Sequence, residues 1–388
     1  MGFIVEVDYF LKNLVLRVLS WLLFPGLGKQ KPGRILIFRT GSMGDSICSL
    51  PAINALRQAY PEAELEVLTH SGGFRGIALE DMIKPGIVDA FINYENLPRK
   101  ELISRLKHKK YDLFILFPQA HAPFKRILRD LVFARIINVR KVAGFRICVT
   151  RLFPAWQARH KAIPNVRDFL LSISREAGAL HSSNMKFPLN IQKEDTTFVN
   201  ELFDTLSIWD NHKLIAFTIG AKRPQNRWPI DYFQQVTEYM QSVGYTCLII
   251  GGEEDNVLVS GLSLTNPVIN LCGRLSVMQS AEVLRRCRML ITNDTGPMHL
   301  AYATRTYVTA VFSSRDYPGL WYPPEELSAV FRNNAVECAN CFSNVCKDNV
   351  CMRGIAPEAV IERVMEELGK RGKSSRLEAG SWKEERDK

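Results

Sequence analysis

Apolar runs of strand length alternate with stretches of helical spacing along most of the chain. RILIF (34–38) is a continuous apolar run of the kind buried on both faces of a parallel sheet. Helical spacing follows over 45–59. AELEVLTH (63–70) is a second strand, closed by the glycine turn SGG (71–73). IVDAFINY (87–94) and YDLFILFP (111–118) are further strands, with helical PRKELISRLKHKK (98–110) between them. Residues 121–185 are basic and mixed, and FPLNIQKED (187–195) reads as an extended, polar connection. A second alternating set then begins. KLIAFTIGA, YTCLIIGG, VINLCG, RMLITND and TYVTAVF are strands, and PIDYFQQVTEYMQSVG, SVMQSAEVLRRC and GPMHLAYAT are helices. Such alternation predicts two doubly wound α/β domains, with ligands at the carboxyl ends of the strands in a cleft between them. APEAVIERVMEELGK (356–370) closes the chain as an amphipathic helix, and the charged tail after it is expected to be disordered.

The N-terminal stretch 3–24, FIVEVDYFLKNLVLRVLSWLLF, is strongly apolar but interrupted by Glu6, Asp8, Lys12 and Arg17. A spanning helix needs about 20 mostly uncharged residues, and Arg17 near the centre argues against one. The segment instead suits a helix lying in a membrane interface, or one docked on the protein's own surface. PGLGKQKPG (25–33) reads as a linker.

With 388 residues, 46% hydrophobic and 23% charged, the chain can build two ordinary domains. Its net charge of +10 is uneven: Lys125, Arg126, Arg129, Arg135, Arg140, Lys141, Arg146, Arg151, Arg159 and Lys161 face a single acid, Asp130. Such a segment is either a solvated basic face or an attractor for nucleic acid, an anionic membrane or a phosphorylated substrate. No cleavable leader is evident, which points to a reducing, cytosolic setting. Of nine cysteines, Cys48, Cys148, Cys247, Cys272 and Cys287 read as core thiols. Cys338, Cys341, Cys346 and Cys351 form a C-x2-C-x4-C-x4-C pattern that admits a structural zinc, disulfides or four reduced thiols.

RMLITNDTGPMHLAYA carries the most chemistry. Its strand delivers Asn293 and Asp294 to a carboxyl end, Thr295 and Gly296 turn the chain, and Pro297 suits a first helical turn. Free N–H groups there, backed by the helix dipole, make an anion site suited to a diphosphate, and His299 adds a donor. On the other reading Asp294 or Thr295 only caps the helix and His299 is packed. GAKRPQNRWP brings Lys222, Arg223 and Arg227 to the edge of the same domain, where cations neutralise a leaving phosphate. IIGGEEDN places Glu253, Glu254 and Asp255 after a strand, where a carboxylate accepts from ribose hydroxyls or simply favours a helix N-terminus. G-x-G-x-x-G and G-x-x-x-x-G-K are both absent, which disfavours an oxidoreductase. No Asp-x-Asp pair occurs to hold a divalent metal against a nucleotide diphosphate. The stretch TGSMGD (40–45) has the form of a phosphate cradle, yet it sets a carboxylate, Asp45, at the helix mouth.

ILIFRTGSMGDSICSLPAINALRQAYP, GAKRPQNRWP, GGEED and NDTGPMHLAYA, in that order over about residues 34 to 365, resemble glycosyltransferase family 9, the heptosyltransferases of lipopolysaccharide core synthesis. The resemblance implies a GT-B fold, two Rossmann-like domains facing each other across a cleft. These would span 33–187 for the acceptor and 188–369 for a nucleotide sugar such as ADP-heptose, flanked by the helix and linker 1–32 and the tail 370–388. It also implies inversion at the anomeric carbon with no metal or other cofactor needed for catalysis. Asp45 matches the family's general base, and Asp294, Thr295, Gly296 and His299 match its D-[ST]-G-x-x-H donor site. Asp255, with Glu254 beside it, matches the ribose carboxylate. Asn226 stands where the family usually has a lysine on the donor phosphate, a place that Arg227, Lys222 or Arg223 can take over. Ser42, Met43 and Gly44, with Lys125, Arg126 and Arg129, are the expected acceptor contacts. A phosphorylated glycolipid acceptor at the cytoplasmic face of the inner membrane, and no nucleic acid, completes the expectation. The competing functions are a non-catalytic membrane-associated nucleotide-sugar-binding protein, and an epimerase or hydrolase of the same fold.

Overall fold

The computed structural model describes residues 2–24, 26, 28, 30–70, 77–149, 163–179, 186–208 and 213–378. The SGG turn, Arg151, Arg159, Lys161 and residues 379–388 lie outside them. Two compact units divide the chain, Met1–Lys193 with Tyr317–Tyr322, and Glu194–Asp316 with Pro323–Lys388. The division therefore falls at 193/194 rather than 187/188. The short segment 317–322 joins the first unit because Val166 N–H donates to Leu320 O (2.9 Å) and Asn165 Nδ2 donates to Gly319 O and Tyr322 O (2.9 and 2.8 Å).

The first unit runs α1 (Gly2–Leu23), β1 (Arg34–Arg39), α2 (Met43–Ala59), β2 (Glu64–Thr69), the short α3 (Leu79–Met82), β3 (Ala90–Asn93), α4 (Arg99–Lys109), β4 (Leu113–Phe117), α5 (Phe124–Ile136), β5 (Lys141–Ala143) and α6 (Val166–Glu176). Its five strands are all parallel, in the order β3-β2-β1-β4-β5. Every residue of β4 is buried, as its unbroken apolar run requires. The chain winds outward from β1 through β2 to β3, then returns to β4 on the other side of β1. The β1/β4 junction is thus the switch point where open α/β sheets bind ligands.

Helix α1 is docked along one stripe. Leu16 and Phe24 are buried in a core shared with Phe114 and Leu116 of β4 and with Ile127, Leu131 and Ala134 of α5. Tyr9 Oη donates to Ile147 O, and Asn13 Oδ1 accepts from Ile147 N–H, both at 2.9 Å. Among the described residues, no helix is long and apolar enough to cross a membrane.

The second unit runs α7 (Lys193–Thr205), β6 (Leu214–Thr218), α8 (Ile230–Ser242), β7 (Thr246–Ile249), the short α9 (Asn256–Val259), β8 (Ile269–Asn270), α10 (Val277–Arg286), β9 (Met289–Asn293), α11 (Gly296–Ala303), β10 (Tyr307–Phe312), β11 (Ser328–Arg332), the short α12 (Val350–Arg353) and α13 (Pro357–Glu378). Its six parallel strands are ordered β11-β10-β9-β6-β7-β8, so the switch point lies between β6 and β9. Trp228 anchors the core edge-on to Phe233, and its indole N–H donates to Ile355 O (3.0 Å). Helix α13 continues to Glu378, so the part of the tail that was expected to be disordered is helical through 371–378.

Candidate functional site

At the first switch point the chain leaves β1 as Arg39-Thr40-Gly41-Ser42 and enters α2. Ser42 is the N-cap and Asp45 the third helical residue. Asp45 Oδ2 accepts from both Ser42 N–H and Ser42 Oγ–H at 2.9 Å. The helix therefore carries its own anion at the terminus where a phosphate would otherwise sit, which accounts for a carboxylate in a cradle-like turn. Asp45 Oδ1 lies 3.2 Å from Arg39 Nη2, in an ion pair whose arginine side chain is 1% exposed and whose carboxylate is 16% exposed. Arg39 is fixed in turn by Phe117 O and Pro118 O at the end of β4 (3.3 and 3.1 Å) and by the Asp45 carbonyl. Burial pulls the Arg39 guanidinium down from its ordinary range, and Asp45 opposes this.

Gly41 is required here. Its φ is +148°, and a Cβ would stand 2.4 Å from Asp45 Cβ, so any side chain would evict the carboxylate. Gly41 N–H donates to His70 Nε2 (3.0 Å) at the end of β2, so that nitrogen is the unprotonated one. Neither Arg39 nor His70 stood out in the sequence. Arg39 closes an apolar strand, and the usable signal was a charged residue at the carboxyl end of a buried run.

The expected acceptor residues divide. Ser42 is exposed, Met43 half-buried, and Gly44 buried in the first helical turn. Arg126 on α5 reaches the same sheet edge, donating to Gln119 Oε1 (2.9 Å) and Thr40 Oγ1 (3.4 Å). Arg129 is instead paired with Asp130 (2.6 Å), and Lys125 is exposed. Burial pushes the Asp130 carboxyl up, with Arg129 and Arg126 pulling against it.

At the second switch point, Asn293 ends β9 fully buried. Its Oδ1 accepts from Trp228 N–H (2.9 Å), and its Nδ2 donates to Ile219 O and Gly220 O (2.9 and 3.3 Å). It clamps the loop after β6 and offers nothing to a ligand. The next residue, Asp294, is half-buried. Burial first, then Asp316, push its carboxyl up to about 7, against Arg223 and Arg315. Thr295 is the N-cap of α11 by position, but its side chain makes no capping bond, and Gly296 and Pro297 form the first turn. His299 is 4% exposed and engages Tyr302 Oη through Nδ1 (2.8 Å), so it is packed more deeply than a free donor would be.

Lys222 and Arg223 are exposed, whereas Arg227 folds back to donate to Ala221 O (3.0 Å). Asn226 is buried and accepts from Ser313 Oγ (2.8 Å), a neutral pair where a lysine would bury its charge. Asp255 is also buried. It takes Gly252 N–H (3.0 Å) and fills the space over Gly220, where a Cβ would lie 2.0 Å from its Oδ1. Glu254 beside it is exposed. Sequence reasoning missed Arg315 and Asp316, which follow β10 and reach Asp294 from the next strand end. Arg315 is held by Phe342 O and Asn344 Oδ1, both at 3.2 Å.

Within the four-cysteine pattern, burial pushes the Cys351 thiol up, and Cys338 and Cys346 add to that shift. Cys351 is buried at α12 while Cys338, Cys341 and Cys346 are exposed. Among the described residues, no three His, Cys, Asp or Glu side chains are placed to hold a metal ion.

Comparison with known proteins places the chain in a family. The model of glycosyltransferase family 9 (heptosyltransferase) matches residues 99–351. Lipooligosaccharide heptosyltransferase 2 of Haemophilus ducreyi is 25% identical over 288 residues, covering 70% of this chain and 80% of that one. The solved glycosyl transferase family 9 structure from Veillonella parvula superposes with a TM-score of 0.67 at 22% identity, covering 87% of this chain and 97% of that one. Escherichia coli ADP-heptose lps heptosyltransferase II superposes at 0.61 and 20% identity, covering 87% and 99%. The two Rossmann-like units are those of the GT-B class, and the chain is a glycosyltransferase belonging to family 9.

Proposed function

We propose that the protein transfers a heptose-like sugar from a nucleotide-diphosphate donor such as ADP-heptose to a lipopolysaccharide-core or similar glycolipid acceptor, with inversion and without a metal, at the cytoplasmic face of the inner membrane. The names of its relatives, lipooligosaccharide heptosyltransferase and ADP-heptose lps heptosyltransferase, support the donor and acceptor classes. The observation that carries the reading is the Asp45 carboxylate at the first switch point. Its Oδ1 lies against buried Arg39, and its Oδ2 accepts from the backbone N–H and the hydroxyl of exposed Ser42.

An acceptor hydroxyl replaces the Ser42 hydroxyl at Oδ2. Its proton passes to Asp45 as the acceptor oxygen bonds the anomeric carbon from the face opposite the leaving group. The bond from that carbon to the diphosphate oxygen breaks, and the diphosphate departs with the electron pair. The first turn of α11, with exposed Lys222 and Arg223 on the loop after β6, the strand beside β9 in the same sheet, stabilises that charge. Thermal unfolding against a panel of nucleotide sugars tests the donor class. ADP-heptose should raise the midpoint more than UDP- or GDP-sugars do, whereas an equal or greater rise with a uridine or guanosine donor would overturn this part.

A further inference from the structure

Helix α1 is apolar on two faces. The stripe Tyr9, Asn13, Leu16 and Leu23 is turned to the protein. The opposite side carries Phe10 (63% exposed), Leu11, Leu14, Val15, Val18, Trp21 (78%) and Leu22. The docked stripe packs against α5, which has its own exposed stripe at helical spacing: Lys125, Arg129, Val132 and Ile136. Soluble monomers rarely leave apolar surface of this extent uncovered. Exposed Arg17, Lys125, Arg129 and Arg135 lie on the same two helices, and the acid Asp8 is already paired with Lys12.

We propose that the outer faces of α1 and α5 together form one docking platform for an anionic phospholipid bilayer. The inference rests on the glycolipid-acceptor reading above and supplies its surface. The apolar residues enter the acyl boundary, and the basic residues meet lipid phosphates. A second copy of the chain is the poorer occupant, because a twofold contact through this face would bring two identical basic groups together. Because α1 is pinned to the body by Tyr9, Asn13 and Leu16, the platform is a rigid part of the first unit rather than a tether. Helix α5 also carries Arg126, which reaches Thr40 beside the Asp45 turn, so bilayer binding holds that sheet edge near the lipid surface.

The test is flotation of the full-length protein with vesicles of phosphatidylcholine alone and of phosphatidylcholine mixed with phosphatidylglycerol. The native protein should float mainly with the anionic vesicles, with a blue shift of tryptophan emission that the Trp21→Ser change removes. Phe10→Ser/Trp21→Ser and Val132→Ser/Ile136→Ser should each lower partition by about tenfold or more. Arg17→Gln/Arg135→Gln should lower it by roughly fivefold per arginine, on anionic vesicles only. All three variants should keep native unfolding midpoints and undiminished transfer to a deacylated, water-soluble acceptor. Variants that float like the native protein, or a native protein that ignores anionic vesicles, would overturn the platform. So would a concentration-dependent dimer that the apolar substitutions abolish, which would assign the face to a second copy. Flotation as expected with no transfer by the native protein would instead strike the function and leave the platform standing.

Discussion

Asp45→Asn should reduce transfer by roughly a hundred- to ten-thousandfold, the range a general base contributes, with donor affinity unchanged. Asparagine is isosteric, and its amide oxygen can still accept from Ser42 N–H, so the entry to α2 persists. What it lacks is a site for the acceptor's proton, and its amide NH2 has nothing to offer the Arg39 guanidinium, which is fully buried and tied to Phe117 O and Pro118 O. The proposed donor groups Asp294, Thr295 and Gly296 belong to the second unit and should be untouched. Steady-state transfer together with equilibrium titration of ADP-heptose reads both quantities. Full turnover in the variant would remove Asp45 from the reaction. Lost donor affinity would make it a binding or folding residue.

The second large effect is a pH dependence of donor binding set by Asp294. Its carboxyl is raised to about 7 in the folded protein, from an ordinary value of 3.8. A raised folded-state value stabilises the fold fully below the unfolded value, and that contribution is lost as pH climbs toward 7. The diphosphate of a nucleotide sugar keeps its charge over this window, so it meets a neutral group below about 7 and a like charge above it. Affinity should therefore fall as pH rises past 7, approaching tenfold per unit if one proton is taken up on binding. Asp294→Asn should flatten that dependence and bind at pH 8 as the native protein does at pH 6. Asp316, Arg223 and Arg315 face the same carboxyl and remain in the variant, so only the Asp294 proton is removed. Affinity that rises with pH would show that the ionised carboxylate holds the donor, and a variant with the native slope would show that Asp294 is not the titrating group.

Much of this architecture was legible in the sequence, because buried parallel strands are unbroken apolar runs and glycine turns punctuate them. RILIF, YDLFILFP, RMLITND and TYVTAVF appear as β1, β4, β9 and β10 within a residue or two of their ends. Helix α5 was not read, because Lys125, Arg126, Arg129 and Arg135 swamp the buried spacing of Ile127, Leu131 and Ala134. Strand β11 was missed because only partly buried SAVFR, at a sheet edge, lacks the continuous apolar signal.

Legibility fell further at the two turns. Sequence shows which residues a strand delivers to its end but not which of them its neighbours consume. Asn293 is spent on Trp228 and the loop after β6, Asp255 on Gly252, and His299 on Tyr302. Arg39, Arg315 and Asp316 gain their significance only from strand order, which puts β4 beside β1 and β10 beside β9. The apolar N-terminal helix left two readings open, and the structure shows the docked stripe while leaving the opposite face bare.

The central claim is that Asp45 deprotonates an acceptor attacking the anomeric carbon directly. Nuclear magnetic resonance of the product formed from ADP-heptose and a deacylated core acceptor tests it most directly. The account predicts a new glycosidic linkage, formed only when both substrates are present, with anomeric configuration opposite to the donor's. Retained configuration, or donor consumed without acceptor, would contradict it.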